Sequence, residues 1–111
     1  MKKDIFVSTT DFIPGYEVIE ILGIARGSTV RARHLGHDFM AGLKNIVGGE
    51  ISEYTKLQEK SRQQAMERMI EHAREMGADA VINVRITTSM IMQGASEILV
   101  YGTAVRLNQK K

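Results

Sequence analysis

The stretch DFMAGLKNIVGGE, residues 38–50, read with GADAVINVR at residues 77–85, decides the fold of this chain. The first is a compact amphipathic run that ends on a double glycine. Leu35, Phe39, Leu43, Ile46 and Val47 recur at helical spacing, with Asp38 and Lys44 off that stripe, and predict a helix over 35–47. Gly48-Gly49 stops it. Ser52 then suits the N-cap of a long second helix reaching Met76, and Gly77 suits the position just past its end.

The long helix has two characters. Ala65, Met66, Met69, Ile70, Ala73 and Met76 form a wide apolar stripe for a core. The preceding QEKSRQQ, residues 58–64, has no apolar residue, so this part is expected to be solvated and to project beyond its own sheet. Glu53–Lys56, Glu59–Arg62 and Glu71–Arg74 lie one turn apart and support the helix by about 0.2–0.5 kcal/mol each.

Strands flank the helices on both sides. IFVSTTDF, residues 5–12, reads as a short edge strand, and Pro14-Gly15 as a turn. Residues 16–32 read as extended chain, with Tyr16, Val18 and Leu22 on one face beside Glu20, and Ile19 and Ile21 on the other. Gly23 and Gly27 interrupt this pattern and predict a bulge or bend. Residues 78–92 and 96–107, joined by a turn at Gln93-Gly94, read as a hairpin. Strict alternation puts Ala80, Ile82, Val84 and Ile86 on one face, opposite Val81, Asn83, Arg85 and Thr87. In the return strand Leu99, Tyr101, Val105 and Leu107 share one face, and Ile98, Val100 and Ala104 the other. One helix layer covers only one face of a strand, so strands apolar on both faces point to an oligomer.

The chain has 111 residues, the size of a single domain spanning 1–111. A net charge of +2 argues against nucleic acid as a partner, because its binders carry a basic stripe with far more excess charge. Cysteine is absent, which excludes disulfides, thiolate metal sites and cysteine nucleophiles. No run approaches the ~20 apolar residues of a membrane span, and the N-terminus lacks the apolar core of a signal peptide. A soluble cytoplasmic protein is expected.

IPGYEV at 13–18, DFMAGLKNIVGGE at 38–50, GADAVINVR at 77–85 and YGTAVRL at 101–107 occur in the order of the YbjQ-like family, which the chain resembles over nearly its whole length. Members of that family are often labelled "putative heavy-metal-binding". The resemblance implies an α+β fold: a dodecin-like β-α-β-β subunit with its long helix packed on an antiparallel sheet. It also implies a ring-forming homopentamer in which short extra strands link neighbours, so the expected partner is the chain itself.

Candidate chemistry is sparse. His34-x-x-His37 puts two imidazoles on one face if that turn is helical, about 5–6 Å apart at Cβ, with Asp38 adjacent and Glu50 just past the double glycine. Such nitrogen and oxygen donors suit a divalent transition metal, Zn²⁺ or Ni²⁺, as the cofactor. His34, His37 and Asp38 are therefore the candidate metal ligands, although relatives often carry arginine where His37 stands. His72 sits at the edge of the long helix's apolar stripe, and the methionines at 66, 69 and 76 belong to that stripe before they suggest a soft-metal site. Gly48-Gly49-Glu50 matches neither glycine-rich phosphate-binding pattern. No serine lies in an elbow or triad context, and no carboxylate has an evident acid–base partner. The sequence thus favours a non-catalytic ring that binds a metal or small ligand. The alternatives are an enzyme whose site forms between subunits, with residues 38–50 meeting Arg85 or Arg106 of a neighbour, and a purely structural scaffold.

Overall fold

In the computed structural model the described residues are 2–31, 51–92 and 95–111, with Arg31 and residues 51–57 described by their backbone alone. The elements run β1 (Phe6–Val7), β2 (Tyr16–Arg31), α1 (Ile51–Glu75), β3 (Ala80–Met92) and β4 (Ala95–Gln109). The helix expected over 35–47, its double-glycine stop and the turn at Gln93-Gly94 lie outside the described residues.

One helix packs on a four-stranded sheet of order β1-β3-β4-β2. The sheet is mixed, not wholly antiparallel as expected. β3–β4 and β4–β2 are antiparallel, but β1 runs parallel to β3, with Phe6 opposite Ala80 and Val7 opposite Val81. The expected strand over 5–12 narrows to these two residues. Beyond them the chain still follows β3 through Ser8 N–H to the Val81 carbonyl and Val84 N–H to the Ser8 carbonyl. The Ser8 and Thr10 hydroxyls then bind each other and nearby backbone, which competes with regular ladder pairing.

The helix is anchored at its C-terminus. Gly77 adopts φ 82°, its N–H donates to the Arg74 carbonyl, and the Ala78 N–H donates to the Ala73 carbonyl. These two bonds make a Schellman motif at the position expected for Gly77. At the other end the helix already includes Ile51, so Ser52 lies inside it and not ahead of it as a cap.

α1 lies mainly over β2 and β4 and meets β3 through Val81 and Val84. Its stripe of Ala65, Met69 and Ala73 is fully buried against Ala25, Val81, Val84, Ile98, Val100 and Ala104. Gly27 is where helix and strand come closest. A Cβ built there would overlap the Ala65 carbonyl oxygen and the Met69 amide nitrogen. Gly27 is thus a close-approach residue, while the irregularities of β2 fall between Val18 and Glu20 and between Ile21 and Gly23. The polar stretch 58–64 is largely exposed, but it does not leave the sheet altogether: Ser61 is fully buried, and its carbonyl accepts from the Thr29 hydroxyl.

Strict alternation fails in β3. Asn83 adopts φ 53°, and the register with β4 shifts between Ile82 and Arg85. This bulge turns both Val81 and Val84 toward the helix. Ala80 and Ile82 instead face away from it, packed with Ile13, Val105, Tyr16 and Leu107. Gly102 lies beneath the bulge, where a Cβ would sit 2.6 Å from Val81 Cγ1 and 2.9 Å from the Ile82 carbonyl oxygen. In β4 the expected faces are as read: Ile98, Val100 and Ala104 meet the helix, and Val105 and Leu107 face away.

Candidate functional site

His34, His37 and Asp38 lie outside the described residues, as does Glu50. Among the described residues no three His, Asp or Glu side chains are grouped so as to hold a metal ion. Met69 is buried in the helix–sheet core, with Met66 and Met76 packed against it, so these thioethers serve packing. Met90 and Met92 differ: they are 80% and 65% exposed on the far half of β3.

What the described residues do bring together is two unlike strand edges. On β3 the N-terminal segment covers the edge as far as Val84. From Ile86 to Met92 the sequence is ITTSMIM, with no charge and no proline, and every one of these residues is exposed. Natural edge strands are blunted by charges, prolines or a covering element, and this one is blunted by none of them among the described residues. A cleft of about 350 Å³ opens at its root, lined by Val7, Met66, Val84 and Ile86 and by Ser8 and Arg85 at the rim. Arg85 is tied there by Nη1 to the Thr9 and Val84 carbonyls.

The outer edge of β2 is handled differently. The Arg26 N–H donates to Nδ1 of His72 at 3.0 Å, and Arg68 Nη1 donates to the Ser28 carbonyl at 2.6 Å. Two side chains one helical turn apart thus stand where a neighbouring strand would hydrogen-bond. Sequence reasoning placed His72 at the rim of the apolar stripe but missed this role. The available signal was that residues 68 and 72 flank Met69 and Ala73 on the helix.

Two carboxylates are perturbed. Asp79 Oδ2 accepts the Leu107 N–H at 2.8 Å, and Oδ1 pairs with Lys3; these contacts, the backbone one first, hold its carboxyl below the usual range. Glu71 is lowered by Arg74 and then by Lys2, on a largely exposed surface. A depressed native carboxylate contributes stability at pH values above its unfolded value and loses it as pH falls through the native value. Asp79→Asn keeps an acceptor for the Leu107 N–H but loses its charge, so it is expected to lower stability at pH 7 by about 1 kcal/mol. It should also flatten the acid limb of a denaturation profile below about pH 4, which urea titrations across pH would reveal.

Among the described residues these features define a class: a small α+β subunit with a helix on a four-stranded mixed sheet, closed along one flank and open along another. No helix of the described residues is long and apolar enough to cross a membrane. A family described as "Putative heavy-metal-binding" matches residues 5–108. The chain is 59% identical over 107 residues to a UPF0145 protein of Archaeoglobus fulgidus, covering 96% of this chain and 99% of that one. It is 56% identical to a UPF0145 protein of Thermus thermophilus, covering 94% and 91%, and 51% identical to one of Pyrococcus furiosus, covering 97% and 95%. The chain belongs to this YbjQ-like family. Its fold is similar to the crystal structure of a protein with unknown function from Pediococcus pentosaceus, with a TM-score of 0.61 at 14% identity, covering 94% of this chain and 98% of that one.

Proposed function

We propose that this chain is a self-assembling, non-catalytic subunit of a cytoplasmic homopentameric ring that holds a heavy-metal ion or a small ligand. The observation that carries the assembly is the uncharged β3 edge from Ile86 to Met92, uncovered among the described residues. An edge of this kind is a template for another strand. The other flank of the sheet is a different surface, capped by His72 and Arg68. Since the β2 flank is closed to a strand there, the β3 edge meets a different part of its neighbour, and such heterologous contacts close into rings when the rotation permits. The number five is carried over from the family resemblance.

The metal half of the proposal rests on His34, His37 and Asp38 together with the family's description. Each histidine would offer a neutral ring nitrogen and Asp38 a carboxylate, a donor set that suits Zn²⁺ or Ni²⁺. Equilibrium dialysis of untagged protein against Zn²⁺ or Ni²⁺ tests it. The His34→Ala, His37→Ala double variant is expected to bind at least about tenfold more weakly than wild type, having lost two of three ligands. Unchanged uptake by the double variant would remove this site from the proposal and leave the ring as a scaffold.

A further inference from the structure

A second cleft, of about 570 Å³, lies at the outer edge of β2 and is lined by Arg26, Gly27, Ser28, Arg68, Glu97 and Leu99. Its volume is within the range of small-molecule sites, roughly 300–1,000 Å³. We propose that it binds a small carboxylate carrying an adjacent N–H donor, the pattern of an α-amino acid with an apolar side chain.

Two arginines line the cleft from different elements. Arg26 comes from β2 itself, and Arg68 comes round the edge from α1. Arg68 is held in place through Nη1 on the Ser28 carbonyl. It has five N–H donors in a fixed fork, so donors remain for a ligand, and a carboxylate accepts such a fork in two parallel bonds. Among the described residues the ion pairs engage Lys2, Lys3, Arg74 and Arg106. Arg26, Arg68 and Glu97 therefore stand around one cleft without closing on each other.

A site for a simple anion gains nothing from a carboxylate in its wall, because like charges repel. Glu97, half-buried, suits instead an ammonium or amide N–H carried by the same ligand. The strand edge adds the same pair of functions. A residue in a β-strand directs its N–H and C=O to one side. Since the Arg26 N–H and the Ser28 carbonyl both point out of the sheet, the Arg26 carbonyl and the Ser28 N–H point outward beside them. One accepts a hydrogen bond and the other donates one. Leu99, paired across from Ser28, supplies an apolar floor. Positive, negative and apolar groups thus border one space, as the carboxylate, amine and side chain of an aliphatic amino acid require.

Amide NMR of the assembled full chain, titrated with L-leucine, acetate or leucinamide, tests this. L-leucine is expected to give saturable shifts at residues 26–28 and 97–99. Acetate lacks the amine and leucinamide the carboxylate, so each should bind at least about tenfold more weakly. Arg26→Gln and Glu97→Gln alter side chains with no hydrogen bond among the described residues, so both variants should fold. Each is expected to weaken leucine binding by at least about fivefold. No saturable shift at these residues, acetate binding as tightly as leucine, or either variant binding as wild type does would overturn the proposal.

Discussion

Replacing Gly27 by valine is expected to abolish stable folding of the subunit. The helix backbone lies directly over this residue, and the atoms in the way are the Ala65 carbonyl oxygen, the Met69 nitrogen and, at 2.7 Å, the Arg68 carbonyl carbon. These are backbone atoms, which cannot swing aside as a side-chain end can. Relief requires lifting α1 off β2, which uncovers Ala65, Met69 and Ala73 together. Overpacking alone costs about 1–3 kcal/mol, and losing a buried methionine's contacts costs about 2–5 kcal/mol more. Against a total stability of roughly 5–15 kcal/mol for a domain, the sum is a large share. Thermal denaturation followed by circular dichroism should show no cooperative transition for Gly27→Val, or one at least ~10 °C lower. Gly15→Ala is the matched control. Gly15, unlike Gly27, has positive φ, but it has open space around it, so only backbone strain of about 1–2 kcal/mol is expected. A Gly27→Val protein as stable as wild type would mean that α1 does not sit on β2 as described.

The second large effect concerns assembly. Met90→Glu places a charge on the uncovered half of β3, where the native side chain is 80% exposed in the single subunit. The subunit itself should keep its secondary structure, because the position contributes nothing to the helix–sheet core. A ring built on that edge would have to bury the carboxylate at every seam, at a cost of several kcal/mol for each ion. Light scattering after size exclusion is expected to give monomers or small species for Met90→Glu. Lys60→Glu, on the exposed face of α1, should leave the size unchanged. An unaltered oligomer carrying Met90→Glu would place the seam elsewhere.

Much of the subunit was legible because its signals are local. The stripe at 65, 69 and 73 and the glycine at 77 each act within one or two turns of helix, and all are found where expected. The hairpin of β3 and β4 follows from two β-branched runs. What was not legible depends on contacts between distant segments. Asn83 looks like any polar position in an alternating strand, yet its left-handed conformation reverses which residues of β3 meet the helix. The bulge is settled by Gly102, 19 residues later, whose missing Cβ leaves room for Val81 and Val84. Gly27 carries the signature of a bulge and instead marks a helix crossing, a distinction only the packed structure makes. The parallel pairing of β1 likewise depends on where Ala80 lies after the whole helix has been laid down.

The site divides in the same way. His34, His37 and Asp38 were found by residue type and spacing, which identify donors but not their convergence. The cleft at β2 has no sequence signature, because Arg26, Arg68 and Glu97 come from three elements. Assembly was foreshadowed by the return strand, β4, which is apolar on both faces, but the open edge of β3 among the described residues was not read from the sequence. The exposure of that edge goes with α1 lying mainly over β2 and β4 and meeting β3 at Val81 and Val84, while residues 86–92 stay exposed.

Native mass spectrometry of untagged protein, purified without added metal, reads the assembly itself. A pentameric ring gives a dominant species of about five times the 12.4 kDa mass of one chain, with charge at Met90 reducing it to single subunits or small species. A wild-type chain that flies as a monomer at micromolar concentration would contradict the ring and the role assigned to the open edge of β3.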